Sequence, residues 1–191
     1  MRLILTNTFI IKRSLLLLIL TLTSISGQDD RLRLKQADVL ENITIDGVSM
    51  QYLKGNVIFQ KGEMTMNCDW ARCNQRTEQG FLFGNVSMIE DVQNLTCDSL
   101  FVDSPKDIMI AYSNTHVWDT TYSLVADTLF YFSELDSGSA NGNATLIQEK
   151  QTIKGDRIEY VDLPEIDGVS YAARGNVLTV SYTHLRAHET S

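Results

Sequence analysis

Four aspartates stand at one interval: Asp69, Asp98, Asp127 and Asp156 are each 29 residues apart. Carboxylates repeated on stacked elements can share divalent cations, which collect roughly six to eight oxygen ligands. A calcium loop gathers several of those oxygens in one short segment, whereas here each Asp stands alone among apolar neighbours. A structural role at a bend fits better, and no metal or cofactor is assigned. A second series interleaves with the first: Gly55-Asn56, Gly84-Asn85, Ser113-Asn114 and Gly142-Asn143 also recur every 29 residues, and each pair begins 14 residues before its Asp.

Other reactive side chains are sparse. Cys68 and Cys97 occupy equivalent positions one unit apart; they form a cross-strand disulfide if their strands are adjacent, or else serve as small core residues like Ala126 and Gly155 in the same row. Cys73 then stays free, and Cys68-x₄-Cys73 lacks the second ligand pair that zinc needs. Of three histidines, His116 sits on a polar strand face, where solvation is expected. No Gly-x-Ser-x-Gly elbow, His-Glu-x-x-His pair or phosphate-binding glycine loop occurs. The acidic pairs Glu41/Asp46 and Glu165/Asp167 read as solvated loops rather than as a glycosidase pair. The chain is not read as an enzyme. Asn42, Asn85, Asn94 and Asn143 head Asn-x-Ser/Thr sequons, two of them simply because the Gly-Asn pair repeats.

The elements that carry these series follow from composition and period. With 191 residues, 43% apolar, the chain is long enough for one domain with a core and too apolar for disorder. Its 24 acidic against 16 basic residues argue against nucleic acid as a partner. Residues 1–27 hold Arg2, Lys12 and Arg13, no acid, the mostly apolar run Leu15 to Leu22, and a small-residue end at Ser26-Gly27. That is the grammar of a signal peptide; a membrane-spanning helix needs roughly 20 apolar residues. Removal of this segment takes three cations and no acid, leaving a net charge of −11. No Cys follows the apolar run, so no lipoprotein anchor is indicated. Residues 28–36 form an N-terminal segment, 37–180 the repeat domain, and 181–191 (Ser-Tyr-Thr-His-Leu-Arg-Ala-His-Glu-Thr-Ser) a non-native tail without repeat register, resembling translated adapter read-through.

Within each unit the apolar period is two, which is the period of strands. Two residues before the Gly-Asn pair stand Leu53, Leu82, Ala111, Ala140 and Ala173; beyond it come Val57, Val86, Thr115, Ala144 and Val177, then Phe59, Met88, Val117, Leu146 and Thr179. Before each Asp the apolar positions are odd (Met66, Leu95, Leu124, Ile153), and after it they are even (Ala71, Leu100, Leu129, Ile158). The change of parity predicts one extra residue at the Asp, as at a β-bulge or corner, with the carboxylate accepting backbone N–H groups left open there. The array extends to Asp38 and to Gly175-Asn176 through two longer loops, each containing Ile-Asp-Gly-Val-Ser. Five Asp strands thus alternate with five Gly-Asn strands. Turns are expected at Gln60-Lys61-Gly62-Glu63, Glu90 to Asn94 and Asp136-Ser137-Gly138. The fold class is all-β: an elongated stack of two-stranded repeats, open at both sheet edges.

Tyr52-Leu53-Lys54-Gly55-Asn56-Val57, Met64-Thr65-Met66-Asn67-Cys68-Asp69 and Phe83-Gly84-Asn85-Val86 together resemble the OstA-like family, which includes the periplasmic lipopolysaccharide-transport bridge LptA and the N-terminal domain of its outer-membrane partner. The resemblance covers roughly Ala37 to Val180. The long Asp38-to-Gly55 connection is most similar to the Bacteroidetes branch. The pattern decays at Ser113-Asn114-Thr115 and Gly142-Asn143-Ala144, which predicts less regular middle units. The resemblance implies an OstA/LptA-like β-jellyroll whose apolar interior shields the acyl chains of lipopolysaccharide or a related lipid. It also implies edge-to-edge association with itself or other OstA-like domains, in the periplasm or at the outer membrane.

The expected function is therefore an exported lipid carrier or bridge. Val57, Phe59, Val86, Met88, Leu100, Val117, Leu129 and Leu146 are the candidate lining residues. Gly55, Asn56, Asp69, Gly84, Asn85, Asp98, Asn114, Asp127, Gly142, Asn143, Asp156, Gly175 and Asn176 are the structural repeat. Lys54 and Lys61 are placed to meet phosphates near an opening. The rival reading is a structural or adhesive β-solenoid with a filled interior, binding protein or glycan at the cell surface.

Overall fold

A computed structural model describes residues 32–132, 137–148, 151–163 and 168–181. The expected signal peptide and all but the first residue of the expected tail lie outside these residues. The described residues build twelve strands: β1 (Arg33–Gln36), β2 (Val39–Ile45), β3 (Val48–Lys61), β4 (Met64–Asn74), β5 (Gln79–Glu90), β6 (Gln93–Asp103), β7 (Ile108–Trp118), β8 (Tyr122–Phe132), β9 (Ser137–Gln148), β10 (Gln151–Leu163), β11 (Gly168–Arg174) and β12 (Leu178–Ser181). One 3₁₀ turn, Ser104–Lys106, joins β6 to β7. No α-helix occurs among the described residues.

The strands form one antiparallel sheet in the order β1-β3-β4-β5-β6-β7-β8-β9-β10-β11, with β2 also on β3 and β12 also on β10. The fold is an all-β, unclosed jellyroll-like sheet, an antiparallel meander in which each 29-residue unit is two strands. Both outermost strands are broken in the middle. β1 and β2 pair successive parts of β3 either side of Asp38, and β11 and β12 pair successive parts of β10 either side of Gly175-Asn176.

The sheet bends along the row where the two series meet. Lys54 pairs Trp70 and Val57 pairs Cys68, so Gly55 and Asn56 oppose Asp69 alone; the same two-against-one step recurs at Asp98, Asp127 and Asp156. The surplus residue thus belongs to the Gly-Asn strand, whereas the change of face falls on the Asp strand: Met64, Met66 and Cys68 are buried, Asp69 and Trp70 are exposed, and Ala71 is buried again. Ser113-Asn114 makes the same step against Asp127 as the glycine units do, so the expected irregularity of the middle units is absent there.

The corner row divides every long strand into two limbs whose inner faces meet. On the first limb, Phe59, Met66, Met88, Leu95, Val117, Leu124 and Leu146 form one cross-strand row. On the second, Leu53, Ala71, Leu82, Leu100, Ala111, Leu129, Ala140 and Ile158 form another. All are buried in a single apolar cluster. Burial of large aliphatic side chains at about 25 cal/mol per Å² is what holds the limbs together.

Turn chemistry differs from expectation in places. The Asp38-to-Gly55 connection is a strand and a tight hairpin, not a loop: Asp46 and Gly47 both have positive φ (51° and 77°), the pairing that a two-residue turn between twisted strands requires. Its twin lies partly outside the described residues. Ser137 and Gly138 belong to β9 rather than to a turn.

Candidate functional site: the corner row and the apolar interior

Each corner is closed by hydrogen bonding between an Asn and an Asp side chain, with both Asp156 oxygens engaged at the last. The Asn amide nitrogen donates to the Asp carboxylate at Asn56–Asp38 (2.9 Å), Asn85–Asp69 (2.8 Å), Asn114–Asp98 (2.8 Å), Asn143–Asp127 (3.1 Å) and Asn176–Asp156 (3.1 Å). The expectation that the carboxylates take backbone N–H groups is corrected by these partners. The reason is geometric: the bulge turns the Asn side chain across the strand gap, so that it reaches the carboxylate directly. The Asn residues hold φ between 43° and 52°, a left-handed conformation that Asn tolerates better than most residues. At Gly84 φ is +73° and a Cβ would lie 3.0 Å from both Cβ and Cγ of Asp69. Glycine is therefore needed there twice over, for its dihedrals and for the room it leaves the carboxylate. Ser113, at φ 59°, carries the strain that the other units avoid.

The eight candidate lining residues come together. Val57, Phe59, Val86, Met88, Val117 and Leu146 lie on the inner face of the first limb and Leu100 and Leu129 on that of the second, all between 0% and 6% exposed. They pack against one another. A cavity of about 30 Å³ remains at one end of the seam, with Met64, Met66, Val102 and Met109 as its apolar wall and Lys61 and Asp103 at its rim. That is room for about one water molecule. The inner faces are bare at the sheet edges: Leu34 pairs Phe59 and Leu40 pairs Leu53, yet they are 36% and 47% exposed, and Val177, the counterpart of Val57, is 46% exposed. The apolar surface thus runs out to both edges without a cover among the described residues.

Polar groups cluster at the seam. Asp103 is buried; burial pushes its carboxyl up, but Gln79 (2.8 Å) and Lys106 (3.0 Å) outweigh this and hold it below the usual range. Glu90 faces the other way energetically. Burial pushes its carboxyl up to about 7, Lys61 opposes that, and Glu63 and Asp91 add to it; one carboxylate oxygen is buried with no partner. Neither residue was singled out from sequence. An acid on the inner parity at the tip of a strand, Glu90 in Met88-Ile89-Glu90, was the available signal.

Lys61 lines the cavity at the seam, and Lys54 pairs with Glu41 (3.5 Å). His116 is half-buried rather than solvated, with Nε2 2.9 Å from Ser123 Oγ and its ring stacked on Trp118 at 4.3 Å; burial lowers its pKa. Cys68, Cys73 and Cys97 are free thiols. Cys68 lies on β4 and Cys97 on β6 with β5 between them. Strands two apart are about 9.5 Å from one another, beyond the roughly 4.4–6.8 Å that a disulfide spans. Burial pushes the thiols of Cys68 and Cys97 up to about 12 and that of Cys73 to about 11.

Comparison with known proteins agrees with this architecture. No curated protein matches the chain. Nineteen chains of solved structure do; one is LptH, the LptA-homologous periplasmic component of the lipopolysaccharide transport device of Pseudomonas aeruginosa, with a TM-score of 0.55 and 16% identity over 63% of this chain and 95% of that one. At that identity the likeness speaks for the fold. The family model for OstA-like protein matches residues 29–91 and 74–187, two overlapping passes that together cover most of the sequence. The chain belongs to the OstA-like protein family.

Proposed function

We propose that this chain is a non-enzymatic, exported component of lipopolysaccharide transport that shields acyl chains between its two limbs and joins other OstA-like domains edge to edge. The single observation that carries the reading is the course of the inner rows. They are unbroken from strand to strand and end at the edge residues Leu34 and Leu40 on one side, both exposed, and at Thr179 and Ala173 on the other. A sheet whose apolar interior is exposed at its edges gains stability when another sheet continues it, and such an addition lengthens the trough. Acyl chains entering the trough gain roughly 0.8 kcal/mol for each CH₂ removed from water, which offsets parting the limbs. With a net charge of −8, the protein does not draw an anionic lipid by its overall charge, so apolar contact drives binding.

The packed interior favours a second reading. A core in which all eight candidate lining residues are buried against one another also suits a structural or adhesive solenoid with no cargo. A solvatochromic lipid probe separates the two. Blue-shifted emission that lipopolysaccharide reverses, and that Met88→Asp abolishes while the β-sheet circular dichroism is retained, supports the carrier. Absence of any probe binding by the folded chain refutes it and leaves the solenoid.

A further inference from the structure

The outer face of the second limb concentrates aromatic side chains. One outward row runs Lys54, Trp70, Phe83, Ser99, Tyr112 and Thr128. The next runs Tyr52, Arg72, Phe81, Phe101, Ile110 and Phe130. Strand alternation places both rows opposite the buried Leu53–Ile158 row, so they point away from the core. Trp70 stacks on Phe83 at 4.0 Å, Phe81 lies 4.6 Å from Phe101, and the Arg72 guanidinium sits 5.1 Å from the Phe81 ring. Trp70 and Tyr112 are 41% and 36% exposed. The outer face of the first limb is aliphatic and polar rather than aromatic: Asn67, Ser87, Thr96 and His116 follow one another and lead to Val125, and the next row holds Ile89, Trp118 and Ile147.

Charge narrows the occupant. The chain has 24 acidic residues, yet neither outward row holds one from β3 to β8, while each holds a cation. The nearest carboxylates are Glu41, which stands opposite Tyr52 on β2, and Asp69 and Asp98, which lie at the corner and are held by Asn85 and Asn114. Lys54 is shared with Glu41, and the Arg72 guanidinium stands over the Phe81 ring at the centre of the face. Trp, Tyr and Phe beside Arg and Lys are the side chains that settle at the boundary between headgroups and acyl chains. Anionic headgroups supply acceptors for the guanidinium.

We infer that the outer face of the second limb, centred on Trp70, Arg72, Phe81 and Phe83, is a docking surface for an anionic lipid bilayer. This goes beyond the acyl-chain trough, because it uses the opposite face of the sheet and stands or falls separately.

The two tryptophans provide the test. Trp70 lies on this face and Trp118 on the outer face of the first limb. Full-length Trp118→Phe and Trp70→Phe chains, each with one tryptophan, are mixed with vesicles of equal parts phosphatidylglycerol and phosphatidylethanolamine carrying brominated acyl chains. The apolar segment 15–22 can itself bind lipid, so the readout is tryptophan position and not total binding. Quenching and a blue shift of Trp70 but not of Trp118 support docking. So does a drop of about fivefold in partitioning for Arg72→Gln, since a cation near an anionic surface is worth about that factor, with unchanged circular dichroism. Equal quenching of both tryptophans, or of neither, overturns the proposal. So does a shift of Trp70 without vesicles that grows with protein concentration, which would assign the face to a second copy, or one produced by a soluble oligosaccharide, which would assign it to glycan.

Discussion

The corner geometry makes a two-sided prediction. In Gly84→Ala the new methyl group must adopt φ +73° and displace the Asp69 carboxylate, whose Cβ and Cγ lie 3.0 Å from its position. The left-handed backbone costs a non-glycine residue about 1–2 kcal/mol. Displacing Asp69 also breaks its 2.8 Å bond from Asn85, worth about 1 kcal/mol. Reduced freedom of the unfolded chain returns about 0.4–1 kcal/mol, leaving a net loss of about 2 kcal/mol. Ser113→Gly runs the other way: it releases the strain of φ 59°, gives back part of it as unfolded-chain entropy, and stabilises by about 0.5–1 kcal/mol. Equilibrium urea unfolding followed by circular dichroism measures both. Combining Gly84→Ala with Asp69→Ala separates the causes. The collision is relieved and the dihedral strain is not, so the second substitution costs less in the Gly84→Ala background than alone. If Gly84→Ala unfolds within about 0.5 kcal/mol of the parent and Ser113→Gly destabilises, the account of the corner is wrong.

Three further outcomes follow from the interior. Glu90 ionises near 4.5 when unfolded and near 7 when folded. The folded chain therefore keeps the extra proton between those values, and stability falls as pH rises through that window; Glu90→Gln flattens the decline in a pH series of urea midpoints, and an unchanged slope would remove the carboxylate from the account. The thiols of Cys68, Cys97 and Cys73 alkylate slowly at pH 8 in the folded chain and fast in urea, and intact mass after air oxidation shows no loss of hydrogen from a Cys68–Cys97 bridge; a bridge would mean that β5 does not separate them. Leu82→Ala, at a fully buried position in the middle of the second-limb row, costs about 2–5 kcal/mol in the same assay, and a loss below 1 kcal/mol would mean that the limbs do not pack as described.

Much of this architecture is legible in one dimension because strand physics is local and the repeat is strict. An apolar period of two and a parity change at each Asp specify which side chains turn inward, so the residues from Val57 to Leu146 are found in the core by inspection. A bulge needs two residues with positive φ, and Gly-Asn supplies them wherever it stands. What the spacing left open was which atoms meet. The Asn–Asp bonds depend on a bend that rotates one strand's side chain over its neighbour, and the separation of Cys68 from Cys97 depends on β5 entering the sheet between them.

The sequence by itself determined the inward faces and the line along which the sheet bends, because alternation, glycine dihedrals and Asp spacing act between near neighbours in the chain. It implied ten strands where the described residues hold twelve, since the breaks at Asp38 and Gly175-Asn176 split both outermost strands. Only the tertiary structure decided how the limbs close on each other. That closure brings the tip of β6–β7 against the tip of β3–β4 around a small cavity, desolvates Glu90, and leaves Leu34, Leu40 and Val177 bare at the edges. These are contacts between residues distant in the chain, and their energies come from burial, which no local spacing encodes.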